Sequence, residues 1–287
     1  MAKKAGTKRL SRSLFGNIVL NSFLLLFAAF FALPLLYAII NSLKPIDELF
    51  IFPPRFFVSN PTLSNFTNMF ELMSSSAIPF LRYFLNSAFI TVVITVFYIL
   101  ISSAAAYPLA KGNFYGRELL FKFVVTALIF STSVTGIQLY IIISKLHLID
   151  TYWAIILPAL SGSYGVFLMK QFMEGIPDSL IEAAEIDGCS SMAILTKIVL
   201  PNVKPAWLTL AIFSFQSSWN TAGGGYIFTE ELKFLPTAMR EISSGGAISR
   251  AGVSSATAVV LMLPPILFFI LSQSRVMETM ANAGIKE

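Results

Sequence analysis

SLFGNIVLNSFLLLFAAFFALPLLYAIINSL, residues 13–43, holds no charged side chain and is bracketed by Arg12 and Lys44. A helix rises about 1.5 Å per residue, so about 20 apolar residues cross a hydrocarbon layer of about 30 Å. This stretch exceeds that length. It is also too long for the apolar core of a secretory leader, about 7–15 residues, and no small-residue cleavage site clearly follows it. It reads as a retained membrane span.

The rest of the chain repeats the pattern. Of 287 residues, 56% are hydrophobic and 12% charged, whereas an ordinary soluble domain is about 25% charged; mean hydropathy is +0.76. Five further charge-free gaps lie at 83–110, 123–144, 151–169, 205–229 and 251–274. The spacing predicts one all-α membrane domain with six transmembrane helices. Six spans put both termini on one side. Lys3, Lys4, Lys8, Arg9 and Arg12 of the segment 1–12, with Lys111, Arg117, Lys122, Lys170, Lys197, Lys204, Arg275 and Lys286, give that side 13 basic residues against 7 on the other. Positive charge accumulates in cytoplasmic loops. Both termini, the loop 170–204 and the tail 275–287 are therefore expected in the cytoplasm, and the loops 44–82 and 230–250 outside. The net charge of +5 follows from this topology, so the basic N-terminus reads as facing lipid headgroups and not nucleic acid.

The loops and spans carry smaller signals. Leu63, Phe66, Met69, Phe70 and Met73 fall at helical spacing, which predicts a helical cap over 62–73 lying on the membrane surface. Ser102, Ala106 and Ala110 repeat every four residues, so this face of the second span is expected to admit a close neighbour. Pro108, Pro158 and Pro264-Pro265 remove backbone donors and predict kinks whose freed carbonyls need protein partners. The third span holds Ser131, Thr132, Ser133, Thr135 and Gln138, and the fifth holds Ser214, Gln216, Ser217, Ser218 and Asn220. Such uncharged polar groups either join helices or line a path for a neutral polar solute; as a group they favour a path. Thr132, Gln138, Tyr140, Gln216 and Asn220 are the candidate pathway residues. Charge-free spans argue against an ion or proton relay. Single residues of the types Cys (Cys189) and His (His147) leave no disulfide and no zinc site to expect. No G-x-x-x-x-G-K-[ST] pattern is present, so ATP hydrolysis is not expected in this chain.

The segment 170–204 is too charged to span. It contains Glu182-Ala183-Ala184, three residues, Gly188, nine residues, then Ile198, one residue, and Leu200-Pro201. Pro177 and Asp178 suit a helix start and Gly188 a helix stop, which predicts a short cytoplasmic helix.

At these positions the chain resembles the integral-membrane permeases of binding-protein-dependent ABC importers, whose signature is EAA, three residues, G, nine residues, I, one residue, LP. Every fixed position matches. Asn41-Ser42-Leu43-Lys44, Asn86-Ser87 and Trp219-Asn220 extend the likeness toward maltose-type carbohydrate permeases, and Ala283-Gly284-Ile285-Lys286 is similar to the family's tail. Gly223-Gly224-Gly225, after Trp219-Asn220, departs from it. The resemblance implies a type I importer permease fold and a coupling helix that contacts a separate ATPase through Glu182, Ala183 and Ala184. Gly188 would make the presenting turn, and Asp187, Ile198, Leu200 and Pro201 complete the set. The implied partners are a second homologous permease, two ATPase subunits that bind ATP and Mg, an extracytoplasmic solute-binding protein and a sugar. No cofactor or metal is implied for this chain, and its implied location is the prokaryotic cytoplasmic membrane. A secondary transporter of a neutral polar solute without an ATPase is the competing reading. An intramembrane enzyme would need Cys189 and His147 together, and their expected positions lie on opposite sides of the membrane.

Overall fold

The opening charge-free stretch does form one continuous helix. In the computed structural model, which describes residues 14–74, 78–130, 132–221, 225–244 and 250–283, α1 spans Leu14–Ser42. It is followed by α2 (Ile46–Leu49), α3 (Ser64–Ser74) and the 32-residue α4 (Phe80–Lys111). Next come α5 (Arg117–Ala127), α6 (Thr132–Lys145), α7 (Trp153–Leu160), α8 (Ser163–Glu174) and α9 (Asp178–Ile186). The chain continues with α10 (Ser191–Ile194), α11 (Leu200–Asn202), α12 (Lys204–Trp219), α13 (Leu235–Ser244) and α14 (Ala251–Ala283). Among the described residues there is no strand.

Among the described residues four helical stretches are long and apolar enough to cross a membrane: α1, α4, α7 with α8, and the first part of α14. A fifth arises if the segments Ser191–Asn202 and Lys204–Trp219, bent by 84°, are taken as one. Two expected spans differ in detail. The stretch 123–144 is divided between α5 and α6, with the chain turning through Leu128, Ile129 and Phe130 by short-range backbone bonds. The hydroxyl-bearing Thr132, Ser133 and Thr135 lie within the first turn of α6, after the break. The stretch 205–229 supplies a helix only to Trp219, after which Asn220 and Thr221 close the last turn.

α4 is the central post, packed mainly against α8 and α12. The predicted stripe is buried at Ser102, Ala106 and Ala110. A side chain at Gly165 of α8 would lie 2.3 Å from Ser102 Oγ, so only glycine permits this approach. α7 and α8 part at Ser161 and Gly162, three residues beyond Pro158, and Tyr98 of α4 fills the gap. Its hydroxyl donates to Gly162 O (3.0 Å) and accepts from Gly165 N (2.7 Å). In α14, Pro265 has no N–H to offer the Leu261 carbonyl; Trp219 Nε1 donates to it at 3.0 Å. Backbone broken within the spans is thus re-satisfied by protein, as an apolar surround requires.

The expected helix over 62–73 is α3, and part of its apolar face packs on its own chain. Met69 and Met73 are fully buried against Tyr83, Trp219, Met239, Val253 and Ala256, so one face packs on α4, α13 and α14. Leu63 and Phe70 remain exposed. Helical spacing located the apolar face but not what covers it. Asn65 of α3 donates to Ser42 O (2.9 Å) and Lys44 O (2.7 Å), closing the end of α1. The buried Lys44 donates to Arg55 O at 2.6 Å. The Asn41 to Lys44 stretch therefore anchors the connection that follows α1.

Candidate functional site

The segment 177–203 stands at the α4 C-terminal end of the bundle. Pro177 opens α9 and Asp178 occupies its first turn. The helix ends through paired bonds from Gly188 N to Glu185 O and from Cys189 N to Ala184 O, both 3.0 Å, with Gly188 at φ +76°. This is a Schellman closure, which favours glycine at the left-handed position. Ile181 and Ala184, three residues apart, point into the core against Met169, Met173, Ile194 and Val199. Glu182, Ala183, Glu185, Ile186, Asp187 and Gly188 are exposed. The expected contact face therefore changes at one position. Ala184 is only 6% exposed and seats α9 on its own chain, whereas Ile186 is 86% exposed.

The second half of the motif is a bend. Ile198 lies in a wide turn, Leu195–Val199, closed by a bond from Leu200 N to Leu195 O. Pro201 and Pro205 cannot donate, and the chain turns at Val203 into α12. Trp207 Nε1 takes up the Leu200 carbonyl at 3.1 Å, and Asn202 Nδ2 that of Ile198 at 2.8 Å. Ile198 and Leu200 pack on the same core as Ile181 and Ala184, while Pro201 is exposed.

Lys111, missed as a candidate, closes this assembly. It is the last residue of α4, and its ammonium donates to Glu174 O (3.3 Å), Ile176 O and Asp178 Oδ1 (2.7 Å). A basic residue in a last helical turn is a legible signal, but its partners 63 to 67 residues away are not. Lys170, also buried, pairs with Glu174 at 2.6 Å and sits 3.8 Å from the centre of the Phe121 ring, joining α8 to α5.

A cavity of about 620 Å³ opens beside α12, lined by Tyr164, Phe213, Gln216, Ser217 and Asn220. Phe213, Gln216, Ser217 and Asn220 share one face because they recur at helical spacing. Ser214, Ser218 and Trp219 occupy the buried face. The polar fifth span thus splits into a wall of the cavity and a packing surface. Of the five expected pathway residues, Gln216 and Asn220 meet here. Gln138 is exposed, and Tyr140 stacks on Tyr226 with ring centres 5.9 Å apart; neither lines this cavity. Thr132 begins α6, and its side chain lies outside the described residues. Tyr164 and Phe213, 6.0 Å apart and edge to face, could not be told from lipid-facing aromatics in the sequence.

At the opposite end, residues 226–235 lie across the start of α4. Tyr83 donates to Glu230 Oε1 (2.6 Å), Asn86 to Glu231 O (2.8 Å) and Lys233 O (3.0 Å), and Ser87 Oγ accepts from Leu235 N (2.9 Å). Asp150, at φ +61°, accepts from Phe228 N, Thr229 N and the Thr229 hydroxyl. The hydroxyl and then the two amides hold its carboxyl below the usual value. Partial burial would raise the Glu230 carboxyl, but bonds from Lys233 and Tyr83 hold it low. Gly223, Gly224 and residues 284–287 of the tail lie outside the described residues, and no cluster of metal-binding side chains occurs among those described.

Residues 98–280 match the family model of the binding-protein-dependent transport system inner membrane component. The arabinooligosaccharides transport system permease protein AraQ of Halalkalibacterium halodurans is 32% identical over 91% of this chain and 93% of its own. The polygalacturonan/rhamnogalacturonan transport system permease protein YtcP of Bacillus subtilis is 29% identical over 88% of this chain and 92% of its own. The crystal structure of a bacterial ABC transporter involved in import of the acidic polysaccharide alginate contains a chain of the same fold. Its TM-score is 0.74 at 21% identity, over 94% of this chain and 99% of that one.

Proposed function

The chain belongs to the binding-protein-dependent transport system inner membrane components, and from that premise we propose that it is one permease of an ATP-driven importer for an oligosaccharide or other sugar. It lies in a prokaryotic cytoplasmic membrane with six spans and both termini inside. A second, homologous permease completes the pathway. Two ATPase subunits bind ATP and Mg below it, and an extracytoplasmic binding protein delivers the solute above. The observation that carries the reading is the motif from Glu182 to Pro201, set on a short helix that buries two residues in its own chain and leaves the rest exposed.

The exposed face of α9, with Glu182, Ala183 and Ile186, is the part that seats in the ATPase. Met192 of α10, 65% exposed, extends its apolar surface. Gly188 presents the helix, and Ile198, Leu200 and Pro201 carry the bend into α12. Movement of α9 is thereby passed to the helix that bears Gln216 and Asn220. Their amides can donate to and accept from sugar hydroxyls, while Tyr164 and Phe213 offer faces for the ring's apolar C–H edges. The sugar class is favoured by the relatives, whose names refer to arabinooligosaccharides and to polygalacturonan.

Reconstituted uptake tests the proposal. Vesicles containing both permeases and the ATPases, with binding protein outside, are predicted to accumulate oligosaccharide only when ATP is enclosed on the α9 side. Accumulation driven by an ion gradient without ATP overturns it in favour of a secondary transporter.

A further inference from the structure

We propose that Lys111 is a latch that fixes the coupling helix to the end of α4, so that α9 and α4 move as one body. The inference rests on the importer reading for its consequence, but its geometry is independent of it.

The Lys111 side chain is 9% exposed, whereas Asp178 is 76% exposed. The ammonium is held in place by the protein while its carboxylate partner faces water. Its other two acceptors, the carbonyls of Glu174 and Ile176, belong to the end of α8 and to the connection ahead of Pro177. Among the described residues neither carbonyl accepts a backbone N–H from the next helix, because α8 ends at Glu174 and Leu180 N donates to Pro177 O instead of Ile176 O. One cation therefore satisfies the α8 terminus, the connection and the first turn of α9 together. Charge-assisted bonds of this kind are about twice as strong as neutral ones. Below the latch α9 buries only Ile181 and Ala184 of its own residues.

α4 gives the latch its reach. With 32 residues it extends about 48 Å, and its far end holds residues 230–235 through Tyr83, Asn86 and Ser87. A displacement imposed on α9 is conveyed by Lys111 to a rod that ends at the opposite face of the molecule. Lys111 is a positioning residue, whose partners are Glu174, Ile176 and Asp178 of its own chain.

Cys189, the chain's one cysteine, is exposed just beyond α9 and provides the test. A spin label on Cys189 is read in the full transporter for wild type, Lys111→Met, Lys111→Arg, Asp178→Asn and Lys122→Met. Methionine keeps an apolar stem and removes all three bonds; arginine keeps a cation. The expected result is a mobile label in Lys111→Met, a smaller change in Asp178→Asn, and spectra like wild type in Lys111→Arg and Lys122→Met. Solute moved per ATP hydrolysed is expected to fall about tenfold in Lys111→Met, the scale of a lost charged hydrogen bond, and to recover in Lys111→Arg. An immobile label and unchanged coupling ratio in Lys111→Met overturn the latch. Absence of ATP-driven uptake in wild type overturns the importer reading, so the two failures are told apart.

Discussion

The two ends of α4 hold their neighbours by different means. At its start, Tyr83, Asn86 and Ser87 bind four groups of residues 230–235; Asp150 fixes residues 228 and 229 beside them, and Lys233 bridges Glu230 and Glu241. At its other end Lys111 binds the lead into α9, and the rest of α9 buries only Ile181 and Ala184. The first end is a cap in which many short bonds must break together. The second is a light, water-facing seat. Segments with few buried contacts open more readily, so the hold on α9, which carries the Glu182 motif, depends heavily on the Lys111 bonds.

The sharpest way to break this contrast is Gly188→Arg. Beyond its chain neighbours no atom lies within 4 Å of a Cβ placed there, so a side chain can leave the backbone without a clash. The left-handed backbone costs about 1–2 kcal/mol, and the arginine projects beside the exposed face of α9. Recovery of ATPase with the tagged permease is expected to fall more than about tenfold, a loss of about 1.4 kcal/mol or more in affinity, while the yield of folded permease is retained.

At the capped end, Asn86→Ala leaves the carbonyls of Glu231 and Lys233 without their donor. A cost of about 1–3 kcal/mol is expected for the two lost hydrogen bonds, read as a lower unfolding temperature in detergent and faster proteolysis within residues 226–235. Recovery of the ATPase is expected to stay normal. A loss of ATPase equal to that in Gly188→Arg would erase the distinction between the ends.

Between the two ends, Asn220→Ala removes a polar group from the cavity wall. The concentration of solute giving half-maximal uptake is expected to rise about tenfold, the scale of one hydrogen bond of about 1.4 kcal/mol, at unchanged ATPase recovery. Gln138→Ala, outside the cavity, is expected to leave it unchanged.

The smallest effect is one of pH. Asp150 has its carboxyl held below the ordinary value near 3.8, so its contribution to the cap is present above that value. It is lost as pH falls through the lowered one. Amide exchange at Phe228 and Thr229 is expected to accelerate only in that acid range, and the change should vanish in Asp150→Asn.

Much of this was legible in the chain because the signals were local. A charge-free stretch long enough to cross hydrocarbon must satisfy its backbone as a helix, as Leu14–Ser42 does, and the spacing from Glu182 to Pro201 needs no tertiary knowledge. The parts that were not legible depend on neighbours distant in sequence. The inward turn of Ala184 follows from where α9 lies on Met169 and Met173. The burial of Met69 follows from α14 and not from lipid. Tyr164 and Phe213 become a wall only when α8 meets α12, and Lys111 matters through carbonyls whose need for a donor arises from the end of α8. The division of 123–144 into α5 and α6, at residues 128–131, carries no signal that charge counting reads.

The measurement that bears most directly on the coupling assignment is photocrosslinking from Cys189. A benzophenone attached there, in membranes with the α9 side accessible, is predicted to yield one permease–ATPase adduct that is lost in Gly188→Arg. A stable, fully labelled permease that forms no adduct with an ATPase, or whose Cys189 can be labelled only from the outer face, would contradict the account.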